Sequence, residues 1–187
     1  MELKGERLIP APIEKVWAGL NDPEILKACI AGCESLERSG DDAFTALVAV
    51  RVGPVSAKFK GNLKMSDVKP PASYTLHFDG QGGVAGFGKG SADVQLTPEA
   101  GATRLGYLAR AQVGGKMAQV GSRLIDAAAA KITEDFFAAF EAQVAPPPAE
   151  GAAAEAEAAP AAGNGKLMLW VVAAALLLAA AVWWLKR

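Results

Sequence analysis

The stretch MAQVGSRLIDAAAAKITEDFFAAFEAQV, residues 117–144, decides the fold. Its large apolar residues recur at the three- and four-residue spacing of one helix face, which predicts a helix over the whole stretch. Residues 127–130, in its middle, are four consecutive alanines. A helix that crosses a sheet with only alanines at mid-length leaves room between the two layers, so we expect a cavity there. Close packing of helix on sheet is the alternative.

The segments before this helix alternate between apolar and polar residues, as strands with one covered face do. The alternation runs over residues 55–66, 74–79, 90–96 and 105–113, with turn signals at 70–71 and 98–101 between them. Because successive strands are joined by short turns, they are expected to pair antiparallel. The pattern predicts an α+β fold in which a curved antiparallel sheet wraps around the long C-terminal helix.

Two short helices are expected near the N-terminus, after a first strand over residues 4–9. Residues 12–20 place apolar side chains at helical spacing, and Pro12 stands where a helix begins. Asp22 and Pro23 form the cap and first position of a second helix, which runs to about Cys29 and ends before Gly32.

Composition excludes several classes of function. The chain has 187 residues, of which 51% are hydrophobic and 21% charged, with a net charge of -1. Phosphate binding needs clustered, uncompensated Lys and Arg, so we expect no nucleic acid partner. Two cysteines, Cys29 and Cys33, and one histidine, His77, cannot form a zinc site without carboxylates. We therefore expect no metal and no catalytic residues.

Three local motifs suggest chemistry that their context does not favour. Residues 83–89 spell the G-x-x-x-x-G-K of a phosphate-binding loop, but Gly90 follows instead of Ser or Thr, and the next residues alternate as a strand. We interpret this glycine-rich segment either as a hairpin or as a sheet surface left bare so that another group can lie against it. The pair Cys29 and Cys33 suggests either a redox or metal site or two small residues at a helix end, and the second is favoured. Alternation places His77 on the polar side of its strand.

The last part of the chain predicts a membrane attachment. Residues 167–185, LMLWVVAAALLLAAAVWWL, contain no polar side chain apart from the indoles and are flanked by lysine and arginine. Nineteen helical residues span about 28 Å, close to the hydrocarbon thickness of a bilayer. Residues 145–165 consist almost wholly of Ala, Pro, Gly and Glu, a composition typical of disorder. We expect a folded domain over 1–144, a disordered linker over 145–165 and a transmembrane tail anchor over 166–187. The charged N-terminus lacks a signal peptide, so the domain is expected in the cytoplasm, at the cytoplasmic membrane.

Two stretches resemble one family. The first is PIEKVWAGLNDPEILKACIAGC, residues 12–33, and the second is VGGKMAQVGSRLI, residues 113–125, continuing into TEDFF at 133–137. Together they resemble the family of carbon monoxide dehydrogenase G subunits, which has the helix-grip fold of the START and Bet v 1 (SRPBCC) superfamily. Ala31 departs from the family pattern, which usually has proline there. Some members of the family also carry a C-terminal membrane segment.

The resemblance implies an accessory protein that attaches a molybdenum-containing carbon monoxide dehydrogenase, or a related molybdenum hydroxylase, to the membrane. Members of the superfamily hold hydrophobic molecules between sheet and helix. We therefore expect a bound respiratory quinone (menaquinone or ubiquinone) or another lipid, which would couple the enzyme to the quinone pool. A pure membrane anchor with a solid core and a small cyclase-type enzyme are the alternatives.

The candidate site residues are those that alternation and helical spacing direct toward the space between sheet and helix. They are Phe59, Leu63, Tyr74, Phe78 and Tyr107 on the strands and Leu124, Ile125, Ala128 and Ile132 on the helix. Val113, Gly114 and Gly115 form a flexible joint before the helix and are expected to gate the cavity. If these assignments hold, replacing Ala128 by Phe abolishes ligand retention.

Overall fold

The structure of the chain, a computed structural model, describes residues 1–145. The predicted membrane tail (166–187) and all but the first residue of the predicted linker (145–165) lie outside the described residues. Within residues 1–145, no helix has both the length and the apolar character needed to cross a membrane.

Seven strands and three helices make up the described part of the chain, joined by two short 3-10 turns at Gly83–Ala85 and Gly115–Val120. In chain order they are β1 (Glu2–Ile9), α1 (Ile13–Leu20), α2 (Pro23–Cys29), β2 (Cys33–Gly40), β3 (Ala43–Val52), β4 (Val55–Lys69), β5 (Ser73–Gln81), β6 (Phe87–Glu99), β7 (Ala102–Gly114) and α3 (Ser122–Val144).

All seven strands form one antiparallel sheet in the order β1-β7-β6-β5-β4-β3-β2. The curved sheet and the long C-terminal helix confirm the predicted α+β architecture, and the two short helices stand where the sequence predicts them. Pairing register places the inward-facing residues in rows across the sheet. One row joins Met65, Leu76 and Ala92, and another joins Tyr74 and Val94. These rows form the floor on which α3 lies.

Two strands, β2 and β3, are absent from the sequence-based prediction. The segment CESLERSG of β2 is mostly charged or small, and Leu36 is its one buried residue. As an edge strand it needs only one side chain in the core. In β3, Leu47 and Ala49 stand on the outer face between inward residues, which obscures the period of two.

The long helix begins five residues later than predicted. Residues 115–120 form a 3-10 turn, and Gly121 adopts a φ of 95°, outside the helical range. The prediction of a helix from residue 117 was therefore wrong at its start, because Gly121 interrupts the helical backbone. The glycine-rich segment is the predicted hairpin: β6 begins at Phe87, so Lys89 lies in a strand.

The core holds α3 by its C-terminal half. Phe137, Phe140 and Val144 are buried there against α1. A Cβ on Gly19 of α1 would lie 2.9 Å from a methyl group of Val144, so only glycine permits this approach of the two helices. Thr103, which is fully buried, donates a hydrogen bond of 2.7 Å to the carbonyl oxygen of Ala11 and ties β7 to the start of α1.

Candidate functional site

A cavity of about 320 Å³ lies between the sheet and α3. The sheet forms its floor, α3 its roof, and α1, α2 and the residue after α2 its side. Its lining consists of Leu3, Leu20, Leu26, Ile30, Leu36, Phe44, Leu63, Met65, Tyr74, Leu76, Ala92, Val94, Leu105, Tyr107, Ala109, Ile132, Thr133, Phe136 and Phe137. Small-molecule pockets range from about 300 to 1,000 Å³ and are mostly apolar, so this cavity suits a small hydrophobic ligand.

The cavity lining contains no Asp, Glu, His, Cys, Lys or Arg among the described residues. Three hydroxyl groups are its polar side chains: Tyr74, Tyr107 and Thr133. The Thr133 hydroxyl already donates a hydrogen bond of 2.9 Å to the carbonyl oxygen of Ala129. Burial raises the pKa of the Tyr74 phenol well above its ordinary value, so this phenol is neutral and can donate a hydrogen bond at physiological pH. The site can bind and orient an apolar molecule that carries hydrogen-bond acceptors.

Aromatic rings form one wall of the cavity. The centroids of the Tyr107 and Phe137 rings lie 5.4 Å apart, and Phe136 contacts Phe137 edge-on at the same separation. On the floor, the Tyr74 ring meets Trp17 at 5.7 Å in an edge-to-face contact. Aromatic pairs at these separations contribute about 0.5–1.5 kcal/mol each beyond the area they bury, so the rings stabilise one another in the wall.

Glycines allow several rings to lie flat on the sheet. A Cβ on Gly5 would lie 2.5 Å from the Tyr107 hydroxyl oxygen, so the phenol rests directly on β1. The Phe78 ring lies over Gly90 in the same way, since a Cβ there would come within 2.8 Å of it. Each glycine leaves the space that its ring fills, and a ring lying flat takes less depth from the space under α3.

The cavity meets solvent beside α3 at its middle. Ile132 lines the cavity and is still 42% exposed, which places it at the mouth. Two residues after Ile132 on α3, Glu134 forms an ion pair with Arg7 of β1. The Arg7 guanidinium also lies 5.8 Å from the centre of the Phe137 ring. This ion pair bridges the edge of the sheet to the helix next to the aromatic wall.

Four of the nine candidate ligand-binding residues come together in the cavity lining. They are Leu63, Tyr74, Tyr107 and Ile132. The other five, Phe59, Phe78, Leu124, Ile125 and Ala128, lie outside that lining, toward the first turns of α3 and the opposite half of the sheet. Leu124 is 50% exposed and contacts the β3–β4 turn at Gly53. A role for these five in ligand binding stays a prediction.

The candidate gate residues lie at the end of β7. Val113 and Gly114 are its last two residues, and Gly115 opens the 3-10 turn that follows. A Cβ on Gly115 would lie 2.5 Å from the Cα of Gly86, so the backbones of these two segments are in direct contact. The structure places this joint beyond the first turn of α3, away from the cavity lining. Its opening stays a prediction.

Sequence reasoning missed most of the aliphatic lining. Leu76, Val94 and Ala109 belong to the alternating faces that the sequence displays, but Leu63 was the one aliphatic strand residue that the prediction selected for ligand binding. Leu36 and Phe44 stand on the two strands that were not predicted. Leu26 lies on α2 and Ile30 directly follows it. They were missed because the sequence alone does not show that α2 packs against α3.

Other polar features do not form a site. A larger depression of about 770 Å³ on the outer face of the sheet is lined in part by exposed charged residues such as Lys4, Glu6 and Asp67, a lining that does not suit an apolar ligand. On the same face the Ser66 hydroxyl lies 3.0 Å from His77 Nε2 and 3.1 Å from an Asp67 carboxylate oxygen. A nucleophilic triad needs histidine between serine and aspartate, and here serine stands between them.

The two cysteines are free thiols within the described residues. Burial raises the pKa of both thiols, and for Cys33 the charge of Lys27 opposes part of that rise. A raised pKa lowers the fraction of reactive thiolate at neutral pH. This supports the interpretation of the pair as small packing residues, although only Cys29 ends α2 and Cys33 begins β2.

Comparison with known proteins supplies a family and a fold. Residues 5–145 match the CoxG family, the G subunits of carbon monoxide dehydrogenase. The search of curated proteins gave no match. Among solved structures, a conserved protein from Geobacillus kaustophilus is 34% identical, with a TM-score of 0.73, and the alignment covers 77% of this chain and 95% of that one.

Two more distant structures share the fold alone. The protein TTHA0849 from Thermus thermophilus is 20% identical with a TM-score of 0.60, covering 77% of this chain and 97% of that one. The Zhui aromatase/cyclase from Streptomyces sp. R1128 is 13% identical with a TM-score of 0.58, covering 77% of this chain and 93% of that one.

Proposed function

The chain belongs to the CoxG family of carbon monoxide dehydrogenase G subunits, and we propose on that basis that it is an accessory protein that recruits a dehydrogenase and binds a hydrophobic ligand. The enzyme is a molybdenum-containing carbon monoxide dehydrogenase or a related molybdenum hydroxylase, brought to the cytoplasmic membrane. The cavity between the sheet and α3 is the observation that carries the proposal, because a protein that served only as an anchor would need no cavity.

The ligand we propose is a respiratory quinone, menaquinone or ubiquinone, or another lipid of similar head size. A quinone ring is flat and apolar and presents two carbonyl acceptors. The aromatic wall of Tyr107 and Phe137 suits the ring face, and the phenols of Tyr74 and Tyr107 are the donors that its carbonyl oxygens would need. When bound, a quinone would supply the electron-accepting group, while the chain orients it and excludes water.

The lining described for the cavity contains no Asp, Glu, His, Cys, Lys or Arg, which favours binding over catalysis. General acid–base chemistry needs a group that exchanges a proton near neutral pH. The Tyr74 phenol, with its raised pKa, does not do so. A cyclase-type activity therefore has less support than ligand binding.

Membrane attachment is the second half of the proposal. Residues 166–187 act as a tail anchor, and residues 145–165 as the linker that holds the domain near the cytoplasmic face of the membrane. The sequence of these segments supports this, since residues 167–185 are long enough to span a bilayer and carry tryptophan near both ends.

A matched pair of variants tests whether the cavity binds a hydrophobic ligand. The full chain is purified from membranes in detergent, and its bound lipids are extracted and identified by mass spectrometry. Ala109→Phe places a ring inside the cavity, and retained ligand falls at least about tenfold, which corresponds to roughly 1.4 kcal/mol of lost affinity. Ala130→Phe adds the same ring on the exposed side of α3, outside the lining, and leaves retention unchanged. Thermal melts confirm that both variants fold.

Two outcomes would contradict the proposal that the cavity binds a hydrophobic ligand. Wild-type protein without any co-purified quinone or lipid would leave the pure anchor as the function. Loss of ligand in Ala128→Phe but not in Ala109→Phe would place the ligand under the first turns of α3, as the sequence predicts, and not in this cavity.

Membrane attachment is tested by deletion of residues 166–187, which moves the protein and its dehydrogenase from the membrane to the soluble fraction. A dehydrogenase that stays on the membrane would refute recruitment by this chain.

A further inference from the structure

One end of the domain gathers exposed apolar side chains. The β3–β4 turn, the β5–β6 turn, the 3-10 turn at Gly115–Val120 and the first turn of α3 meet there, and we call this end the tip. Leu124 of α3 contacts the β3–β4 turn at Gly53, and the Phe87 ring packs on Gly114. Val84 is 86% exposed, Leu124 50% and Phe87 38%. Among the described residues, three of the six exposed large apolar side chains therefore belong to the tip.

The tip is also basic. Arg51 precedes the β3–β4 turn, Lys116 lies in the 3-10 turn and Arg123 in the first turn of α3, and all three are exposed. None of the three forms an ion pair with any residue in 1–145. The acidic group nearest in sequence to Lys116 and Arg123 is Asp126 of α3, which shares a depression with Phe87 and Lys89.

The opposite end of the domain carries the reverse charge. Its turns hold Asp41 and Asp42 between β2 and β3, Asp67 near the end of β4, and Glu99 at the end of β6. Asp41, Asp42 and Asp67 form no ion pair within residues 1–145, whereas Glu99 pairs with Arg104. Unpaired cations at the tip and unpaired carboxylates at the other end orient the domain in an external electric field.

We propose that the tip docks on the surface of an anionic lipid bilayer. Exposed apolar side chains flanked by Lys and Arg are the combination that binds the boundary between headgroups and acyl chains, with the cations on lipid phosphates and the apolar groups among the upper methylenes. Val84, Phe87 and Leu124 supply the apolar contact, and Arg51, Lys116 and Arg123 supply the charge. The acidic end then points away from the membrane, because anionic lipids repel it.

This contact is distinct from the tail anchor and from the ligand cavity. A tail anchor fixes the distance of the domain from the membrane only to within the length of the linker, whereas docking of the tip fixes its orientation. The inference uses residues 51–124 only, so it can fail while the proposed function holds, and the reverse is equally true.

A fluorescent probe on the full chain tests the docking. The chain is reconstituted in nanodiscs of phosphatidylcholine, alone or mixed with phosphatidylglycerol, and carries an environment-sensitive probe at Val84→Cys. The control probe is at Leu8→Cys, which is 55% exposed on β1, near the acidic end. With brominated lipid, the probe at position 84 is quenched in the anionic nanodiscs and released by high salt, while the probe at position 8 is unaffected.

A charge variant separates docking from insertion of the tail. Arg51→Gln, Lys116→Gln and Arg123→Gln together lower the ratio of docked to undocked domain about a hundredfold, because each cation near an anionic surface contributes roughly fivefold. Incorporation of the chain into the nanodisc is measured separately and stays unchanged. Equal quenching at positions 84 and 8, quenching that ignores salt and lipid charge, or no quenching at position 84 would each overturn the proposal.

Discussion

The two halves of α3 differ in how far their side chains are buried against the rest of the domain. In residues 133–144, Phe137, Phe140 and Val144 are buried, whereas no residue of 122–132 is buried. Both halves nevertheless carry apolar side chains at helical spacing. The first half even includes Leu124 and Ile132, two large apolar residues that are 50% and 42% exposed.

The difference comes from what lies opposite each half. The C-terminal half meets α1, where Gly19 allows Phe140 and Val144 to approach the helix backbone. Among the described residues, none of residues 122–132 belongs to the hydrophobic core or packs against it, and the sheet near this half presents small residues such as Gly90 and Ala111. Helical periodicity therefore identifies a face that can be buried, while the partner element decides whether it is.

The largest effect that separates the halves is expected from truncation of an apolar residue in each. Phe140 is fully buried, so Phe140→Ala removes its contacts and leaves a cavity, which lowers the free energy of unfolding by about 3–5 kcal/mol. Leu124→Ala, in the exposed half, changes it by no more than about 0.5 kcal/mol. Urea unfolding followed by circular dichroism measures both. Similar losses in the two variants would mean that α3 is held equally along its length.

A second test concerns Tyr74, which lies beneath the buried half. Burial raises the pKa of its phenol above the ordinary value of 10.0, so the folded state retains the proton that the unfolded chain loses first. The stability contributed by the neutral phenol is therefore present below pH 10 and lost as the pH rises beyond it. We expect the advantage of the wild type over Tyr74→Phe to shrink by about 1 kcal/mol per pH unit above that point.

The measurement compares urea unfolding of both proteins at neutral pH and at two alkaline pH values. The neutral pair serves as the control, because the phenol is protonated in both states there. A difference that stays constant through the alkaline range would show that the hydroxyl of Tyr74 reaches solvent.

The smallest effect is expected at the boundary between the halves, where Arg7 pairs with Glu134. The side chains are 32% and 64% exposed, so solvent screens their attraction. A double-mutant cycle with Arg7→Met and Glu134→Gln should give a coupling energy below about 1 kcal/mol, decreasing with added salt. A salt-insensitive coupling of several kcal/mol would make this ion pair a principal attachment of α3.

The sequence was informative where a strand has one plainly polar face. The alternation in residues 55–66 and 105–113 predicted β4 and β7 correctly, and the Asp22 cap with Pro23 located α2. It was uninformative for β2 and β3, because an edge strand needs few apolar residues and Leu47 on the outer face of β3 breaks the alternation. The start of α3 depended on the φ of one residue, Gly121, which no periodicity reports.

For the candidate site, the sequence predicted which sides of the sheet and of α3 face each other, but not which part of α3 lies over the cavity. Tyr74 and Tyr107 were identified because aromatic residues on an inward face are conspicuous. The five candidates outside the cavity lining face the same layer but at the other end of α3. Position along the helix depends on where α1 and α2 pack, and those contacts join residues far apart in the chain.

The glycines beneath the aromatic rings have a consequence for how this sequence can change over time. Tyr107 needs the space above Gly5, so a side chain gained at position 5 displaces the phenol ring. A Cβ at Gly90 would instead lie 2.0 Å from the carbonyl oxygen of Arg110, so a smaller residue in place of Phe78 makes no room for it. Among related sequences a larger residue at position 5 should therefore coincide with a smaller one at position 107, whereas position 90 should stay glycine.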